Sequence, residues 1–141
     1  MMHKISLILL FLIGLNTQAQ NITGQWITID DKTKEKKSII EIYQQEDQYF
    51  GKIIQILNPL KKNKVCSDCT GDKKNKPILG MVILENLKKD TNEFNEGTIL
   101  DPNNGKTYSC YVKLENQNTL KVRGYIGISL LGRTQYWQKV K

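Results

Sequence analysis

Apolar and polar residues alternate along short stretches of the chain after residue 20, and turn-forming residues separate these stretches at fairly regular intervals. A period of two is typical of strands with one buried face, and no convincing helical period of any length is present. The pattern predicts eight strands, at about residues 24–30, 37–45, 48–57, 80–88, 93–100, 106–115, 118–125 and 133–140. Because most connections are short, the simplest topology is an antiparallel up-and-down barrel.

The same alternation predicts which side chains point into the barrel. On the second, sixth and seventh strands one face is apolar and the other polar, so the apolar face should be interior. Its members are Ile40, Ile42, Tyr108, Cys110, Val112, Leu114, Leu120 and Val122. The third strand is apolar on both faces, and its register stays open.

The first nineteen residues have the pattern of a secretory signal peptide. A short basic region at His3 and Lys4 precedes an apolar run over residues 5–15, and Thr17-Gln18-Ala19 is a small-x-small cleavage site. A membrane anchor is the alternative, but this run is shorter than the roughly 20 residues that cross a bilayer. We therefore expect an exported protein, periplasmic or secreted and not membrane-spanning, with a signal peptide over residues 1–19 and a single domain over residues 20–141.

Lysine dominates the charge of the chain, whose formal net charge is +7 from 21 Lys and Arg against 14 Asp and Glu. Nucleic-acid binding is not expected, because arginines and aromatic residues do not alternate on one patch. The long connection between strands three and four carries Lys61, Lys62, Lys64, Lys73, Lys74 and Lys76. This loop is either simply solvated or a docking surface for an anionic partner, such as lipid headgroups or surface glycans.

The same loop contains Cys66-Ser67-Asp68-Cys69. In an exported protein a Cys-x-x-Cys pair is expected to form a disulfide, here one that shapes the loop. Thiol exchange is less favoured because the redox motif normally begins a helix, and zinc is less favoured because structural sites need four ligands. Cys110 should face the core as a small apolar residue. No metal and no cofactor is predicted.

Catalysis is not expected, because the one histidine, His3, leaves with the signal peptide. Without histidine, acid–base work would depend on carboxylates, lysine or tyrosine. Asp30 and Asp31 have the context of ordinary solvated turn residues, beside Lys32 and Lys34. No catalytic residues are predicted.

The first strand begins with Gly24-Gln25-Trp26, and the last two predicted strands each carry an arginine, Arg123 and Arg133. This combination resembles the lipocalin and fatty-acid-binding group, the calycins. The resemblance implies that Gly24 and Trp26 close one end of the barrel, with an arginine guanidinium on the indole face. Arg133 is preferred to Arg123 because it opens the last strand.

A longer resemblance covers nearly all of the chain after the signal peptide. The segments GQWITIDDKTKEKKSIIEIY, KPILGMVIL, GTILDPNNGKTYSC and LKVRGYIGISLLGRTQYW, in this order, are similar to the bacterial exported family called domain of unknown function 2147. The resemblance implies a lipocalin-like barrel and no established activity.

The last strand suggests a ligand site. Arg133, Gln135 and Trp137 share one face, and if that face is interior they bring polar groups into a partly apolar barrel beside Tyr108. A small apolar or amphipathic ligand is the predicted partner, although an eight-stranded barrel can also be filled by its own side chains. The alternative function is a non-catalytic envelope module that docks an anionic partner through the lysine-rich loop.

Overall fold

The chain folds into a closed barrel of eight antiparallel strands, in a computed structural model that describes residues 21–141. The predicted signal peptide lies outside the described residues. Each strand pairs with the next in the chain, and β8 pairs with β1 to close the sheet. The strands are β1 (Gly24–Ile29), β2 (Lys36–Gln45), β3 (Gln48–Ile56), β4 (Val82–Asp90), β5 (Glu93–Asp101), β6 (Lys106–Asn116), β7 (Thr119–Tyr125) and β8 (Gly132–Lys139).

The predicted fold is confirmed, and every predicted strand end lies within two residues of the observed one. Of the eight side chains predicted to point inward, six are buried, and Tyr108 and Leu114 are half-buried. β3 contains a β-bulge opposite Ile39 and Ile40, which explains why its sequence shows no clean alternation of apolar and polar residues. The extra residue is Ile54, so Ile53 and Ile56 both lie on the interior side.

The two ends of the barrel differ in their connections. At one end, two-residue turns join β2 to β3, β4 to β5 and β6 to β7. At the other end the connections are longer, over residues 30–35, 57–81, 102–105 and 126–131. We call these the closed end and the mouth. Among residues 21–141, no helix is long and apolar enough to cross a membrane.

Large side chains fill the closed half of the barrel. Trp26, Leu87, Phe94 and Leu120 have no exposed surface, and the rings of Tyr49 and Phe94 meet edge to face at 4.8 Å. Each buried aromatic residue removes about 150 to 250 Å² from water, so this cluster is a major source of the stability of the barrel.

The long connection at residues 57–81 is folded against the mouth. Cys66 and Cys69 form the predicted disulfide, and Val65 pairs with Pro77 as an isolated bridge. The turn of this loop lies directly on the β5–β6 connection. A Cβ atom at Gly105 would collide with the backbone of Asp68, so the close approach requires glycine.

We expect Gly105→Ala to lower the free energy of unfolding by at least about 1 kcal/mol more than Gly127→Ala does. Both glycines have a positive φ, +72° and +73°, so backbone strain is common to the two variants. Only Gly105 adds a steric clash with Asp68, whereas no atom lies within 4 Å of a Cβ at Gly127. Urea unfolding of the two variants measures the difference. Equal losses would contradict the proposed packing of the disulfide loop on the hairpin.

Candidate functional site

A cavity of about 460 Å³ occupies the half of the barrel nearest the mouth. Its walls are mainly aliphatic, and Trp137 lies at its inner end as the β8 lining residue farthest from the mouth. The aliphatic side chains come from five strands and include Ile40, Ile53, Ile83, Ile99, Leu100 and Val122. The interior of this half therefore presents a largely apolar surface.

The deeper polar side chains of the cavity are hydrogen-bonded to protein groups. The hydroxyls of Thr28 and Ser38, on paired strands, lie 2.7 Å apart. The Trp137 Nε1–H donates to Gln135 Oε1 at 3.0 Å. Because these groups already have hydrogen-bond partners, a ligand in this part of the cavity does not need to supply them.

The structure brings together all four residues predicted to contact a ligand. Arg133, Gln135 and Trp137 alternate along β8, so a period of two places them on the inner face of the barrel. Tyr108 reaches the same cavity from β6, and its hydroxyl accepts a hydrogen bond from Asn104 Nδ2 at 3.1 Å. That they bind a ligand stays a prediction.

Arg133 lies at the mouth, where its guanidinium is paired with the Asp31 carboxylate. Its Nε donates to Asp31 Oδ2 at 3.0 Å, and its Nη2 donates to Asp31 Oδ1. Hydrogen bonding from Arg133 holds the pKa of Asp31 below its usual range, and Asp31 in turn raises the pKa of Arg133. Asp31 is therefore not the ordinary solvated turn residue that the sequence predicted, and both groups are charged at neutral pH.

Other charged groups surround the mouth. The backbone N–H groups of Thr33 and Lys32 donate to Asp30 and hold its pKa well below its usual range. Lys37 is 3.5 Å from the same carboxylate. Lys61 and Lys64 line the outer part of the cavity from the long loop. The mouth thus combines an apolar interior with a charged rim.

Trp26 lies in the other half of the barrel, with no exposed surface. Its Nε1–H donates to the Ile22 carbonyl oxygen at 2.9 Å, which ties the segment before β1 to the indole. Gly24 begins the strand with φ +124°, a conformation that favours glycine. The Gly-x-Trp step therefore combines a bend in the backbone with a buried indole.

The prediction that an arginine packs on this indole is corrected by the structure. The cation near the ring is Lys139, with its Nζ 6.0 Å from the ring centroid. Lys139 is opposite Trp26 in the β1–β8 ladder. Arg133 is six residues earlier on β8, about 20 Å away along the strand. Arg123 pairs with Thr134 near the mouth, and its Nε donates to the Ser129 carbonyl oxygen at 2.7 Å.

The cysteines provide no reactive centre in the cavity. Cys66 and Cys69 are joined in the disulfide, and Cys110 is buried in the core, where desolvation raises the pKa of its thiol to about 12. Within the part of the chain that the structure describes, no three His, Cys, Asp or Glu residues are grouped to hold a metal ion.

Two features of the site were not found from the sequence. The pairing of Asp31 with Arg133 joins residues 102 positions apart, and no local pattern encodes it. The cavity walls on β3, β4 and β5 include Ile53, Ile83 and Ile99. A period of two in those strands would have suggested them, but bulges interrupt the pairing on both sides of β3.

Comparison with known proteins supports the fold. No curated protein matches the sequence. Among solved structures, this chain is similar to protein HP1028 from the human pathogen Helicobacter pylori, described as belonging to the lipocalin family. The TM-score is 0.76 at 18% sequence identity, and the match covers 87% of this chain and 85% of the other.

The sequence also matches a family model over residues 24–139, which is most of the chain. That family is described as an uncharacterised protein conserved in bacteria, and it is the one that the sequence segments resembled. The chain therefore belongs to the DUF2147 family.

Proposed function

We propose that the protein binds a small amphipathic molecule, with its apolar part inside the barrel and its polar head at the mouth. The observation that carries this proposal is the cavity of about 460 Å³ in the mouth half of the barrel. Ligand sites in proteins typically enclose about 300 to 1,000 Å³ and are mostly apolar with a few polar groups. The similar lipocalin-family structure supports the same role at the level of the fold.

The distribution of polar groups favours an amphipathic ligand over a uniformly polar one. The hydroxyls of Thr28 and Ser38 and the Oε1 of Gln135 are engaged with protein partners, so a polar group buried beside them would lose water without full replacement. An apolar chain has no such cost against Ile40, Val122 and the other aliphatic walls. The polar head would remain near the solvent-accessible rim.

The rim favours an anionic head. Arg133 uses two of its five N–H donors on Asp31, which leaves three for a carboxylate or phosphate. Lys61 and Lys64 add positive charge at the same opening. Asp30, Glu35 and Asp101 also line this opening. The carboxylates of Asp30 and Asp101 already accept from backbone N–H groups, so they compete less for these cations.

This role requires neither catalysis nor a cofactor. The similarity to a lipocalin-family structure supports a binding role, and the family to which the chain belongs is described as uncharacterised. Docking of an anionic partner by the lysine-rich loop, the alternative function, stays a prediction, and a more specific version of it is developed below.

Filling the cavity should block binding. We expect Ile99→Trp to weaken binding of a fluorescent fatty acid at least about tenfold, a change of about 1.4 kcal/mol. Ile27→Trp is the matched control, since Ile27 alternates with the inward Trp26 and Thr28 and so lies on the outer face. Fluorescence titration of delipidated protein measures both affinities. Equal affinities for the two variants, or no binding by the wild-type protein, would contradict the proposal.

The second test concerns the head group. Arg133→Gln should weaken binding of a fatty acid by about tenfold or more while changing the affinity for the alcohol of the same chain length much less. The difference arises because a charge-assisted hydrogen bond is lost only with the carboxylate. Arg123→Gln is the control, because the Arg123 guanidinium bonds Ser129 and Thr134 instead. Competition titrations with the two ligands measure the ratio, and an unchanged ratio in Arg133→Gln would exclude a head-group role.

A further inference from the structure

Large aliphatic side chains are exposed at the mouth of the barrel. The β7–β8 connection at residues 126–131 has four of them, and Leu130 is 82% exposed. Across the same opening, Leu60 is 94% exposed in the short helical turn Pro59–Lys61. The set consists of Leu60, Ile126, Ile128, Leu130 and Leu131, and we call it the apolar tips.

The backbone of the β7–β8 connection is ordered by its own hydrogen bonds. The N–H of Ile126 donates to the Leu131 carbonyl oxygen at 3.0 Å, and the N–H of Leu131 donates to the Ile128 carbonyl oxygen at 3.0 Å. The chain therefore holds these side chains outward in a defined turn. No charged residue lies between positions 126 and 131.

Charge is distributed unevenly between the two ends of the barrel. The four connections at the mouth contain eight lysines against five carboxylates. The three turns at the closed end contain two carboxylates, Glu46 and Asp47, and no lysine. Lys61, Lys62 and Lys64 are exposed and lie next to Leu60 in the chain.

We propose that the mouth docks on an anionic phospholipid membrane, with the apolar tips in the interfacial layer and Lys61, Lys62 and Lys64 among the headgroups. Apolar insertion and attraction to anionic lipid together are the two terms that hold peripheral proteins on a bilayer. Each lysine near such a surface contributes about a fivefold gain in binding. An isolated apolar patch would not specify a lipid, but the lysines beside Leu60 complement an anionic surface.

A second copy of the chain fits this surface less well. Two mouths facing each other would bring the same excess of lysine on both sides, and like charges in contact oppose association. A bilayer offers the opposite charge and an apolar layer at once. Docking in this orientation directs the cavity opening toward the lipid, although the docking itself does not depend on a bound ligand.

The test is cosedimentation of the full mature chain with vesicles of phosphatidylcholine, with and without phosphatidylglycerol. We expect binding to the mixed vesicles that is at least about tenfold stronger than to phosphatidylcholine alone and that weakens with added salt. The double variant Ile128→Ser and Leu130→Ser should lower this binding at least fivefold, because it removes the apolar insertion. Tyr136→Ser is its control, since Tyr136 is 50% exposed on the barrel wall.

The lysine contribution is tested by a triple variant with glutamine at positions 61, 62 and 64. It should weaken binding to the mixed vesicles by about fivefold per lysine. The control carries glutamine at Lys89, Lys113 and Lys141, which are exposed in the closed half of the barrel and remove the same net charge. Equal losses in the two triple variants would show attraction by net charge alone and overturn the proposal.

Insertion is measured separately with Leu130→Cys carrying an environment-sensitive dye, since Cys110 is buried and Cys66 and Cys69 are joined. We expect a blue shift on mixed vesicles. No shift despite cosedimentation, or no effect of the Ile128 and Leu130 substitutions, would overturn insertion of the tips. A dimer in sedimentation analysis that the same substitutions dissociate, with no vesicle binding, would assign the surface to a second copy instead.

Discussion

The architecture depends on how interior side chains fill an eight-stranded barrel. A barrel of this size has an interior just wide enough to be filled by its own side chains or to hold one small ligand. In the closed half, the large side chains of Trp26, Tyr49, Phe94 and Leu120 are buried in one hydrophobic cluster. In the mouth half, β-branched residues and the small Thr28 and Ser38 line the wall, and a cavity of about 460 Å³ lies between them. The volume of the inward residues therefore divides one barrel into a packed half and a half that encloses a cavity.

The connections at the two ends of the barrel match the difference between its two halves. Two-residue turns hold the strands tightly over the packed half, whereas long connections leave the other half accessible. The disulfide constrains the longest connection locally. The approach of Asp68 to Gly105 and the hydrogen bond from Lys73 Nζ to the Val82 carbonyl oxygen hold this connection against the barrel. An accessible cavity thus coexists with an ordered rim, and the rim carries both the charges and the apolar tips.

Much of this arrangement could be predicted from the sequence, because the period of two is a local property. The alternation on β6 assigned Cys110 and Val112 to the interior, and both are buried. The register of β3 could not be predicted, since a bulge changes which face is interior at Ile54. The prediction of an arginine near Trp26 was wrong. The identity of this cation depends on which end of β8 lies beside Trp26, and that pairing is set by the long-range closure of the barrel.

The candidate site, too, could be predicted from the sequence only in part. One face of β8 could be assigned as a unit, so Arg133, Gln135 and Trp137 were grouped together from the sequence, and the structure shows that this face lines the cavity. Whether the barrel is filled or encloses a cavity could not be predicted, because it depends on the summed volumes of side chains from eight strands. The pairing of Arg133 with Asp31 was also out of reach, since it joins the first connection to the last strand.

The division of the barrel into a packed half and a cavity is tested most directly by a crystal structure of the protein under xenon pressure. Xenon enters apolar cavities of sufficient size and is excluded from close-packed cores. The account predicts xenon sites beside Trp137, Ile40 and Val122 in the mouth half and no site beside Trp26 or Phe94. A mouth half filled by its own side chains with no xenon, or xenon bound beside Trp26, would contradict it.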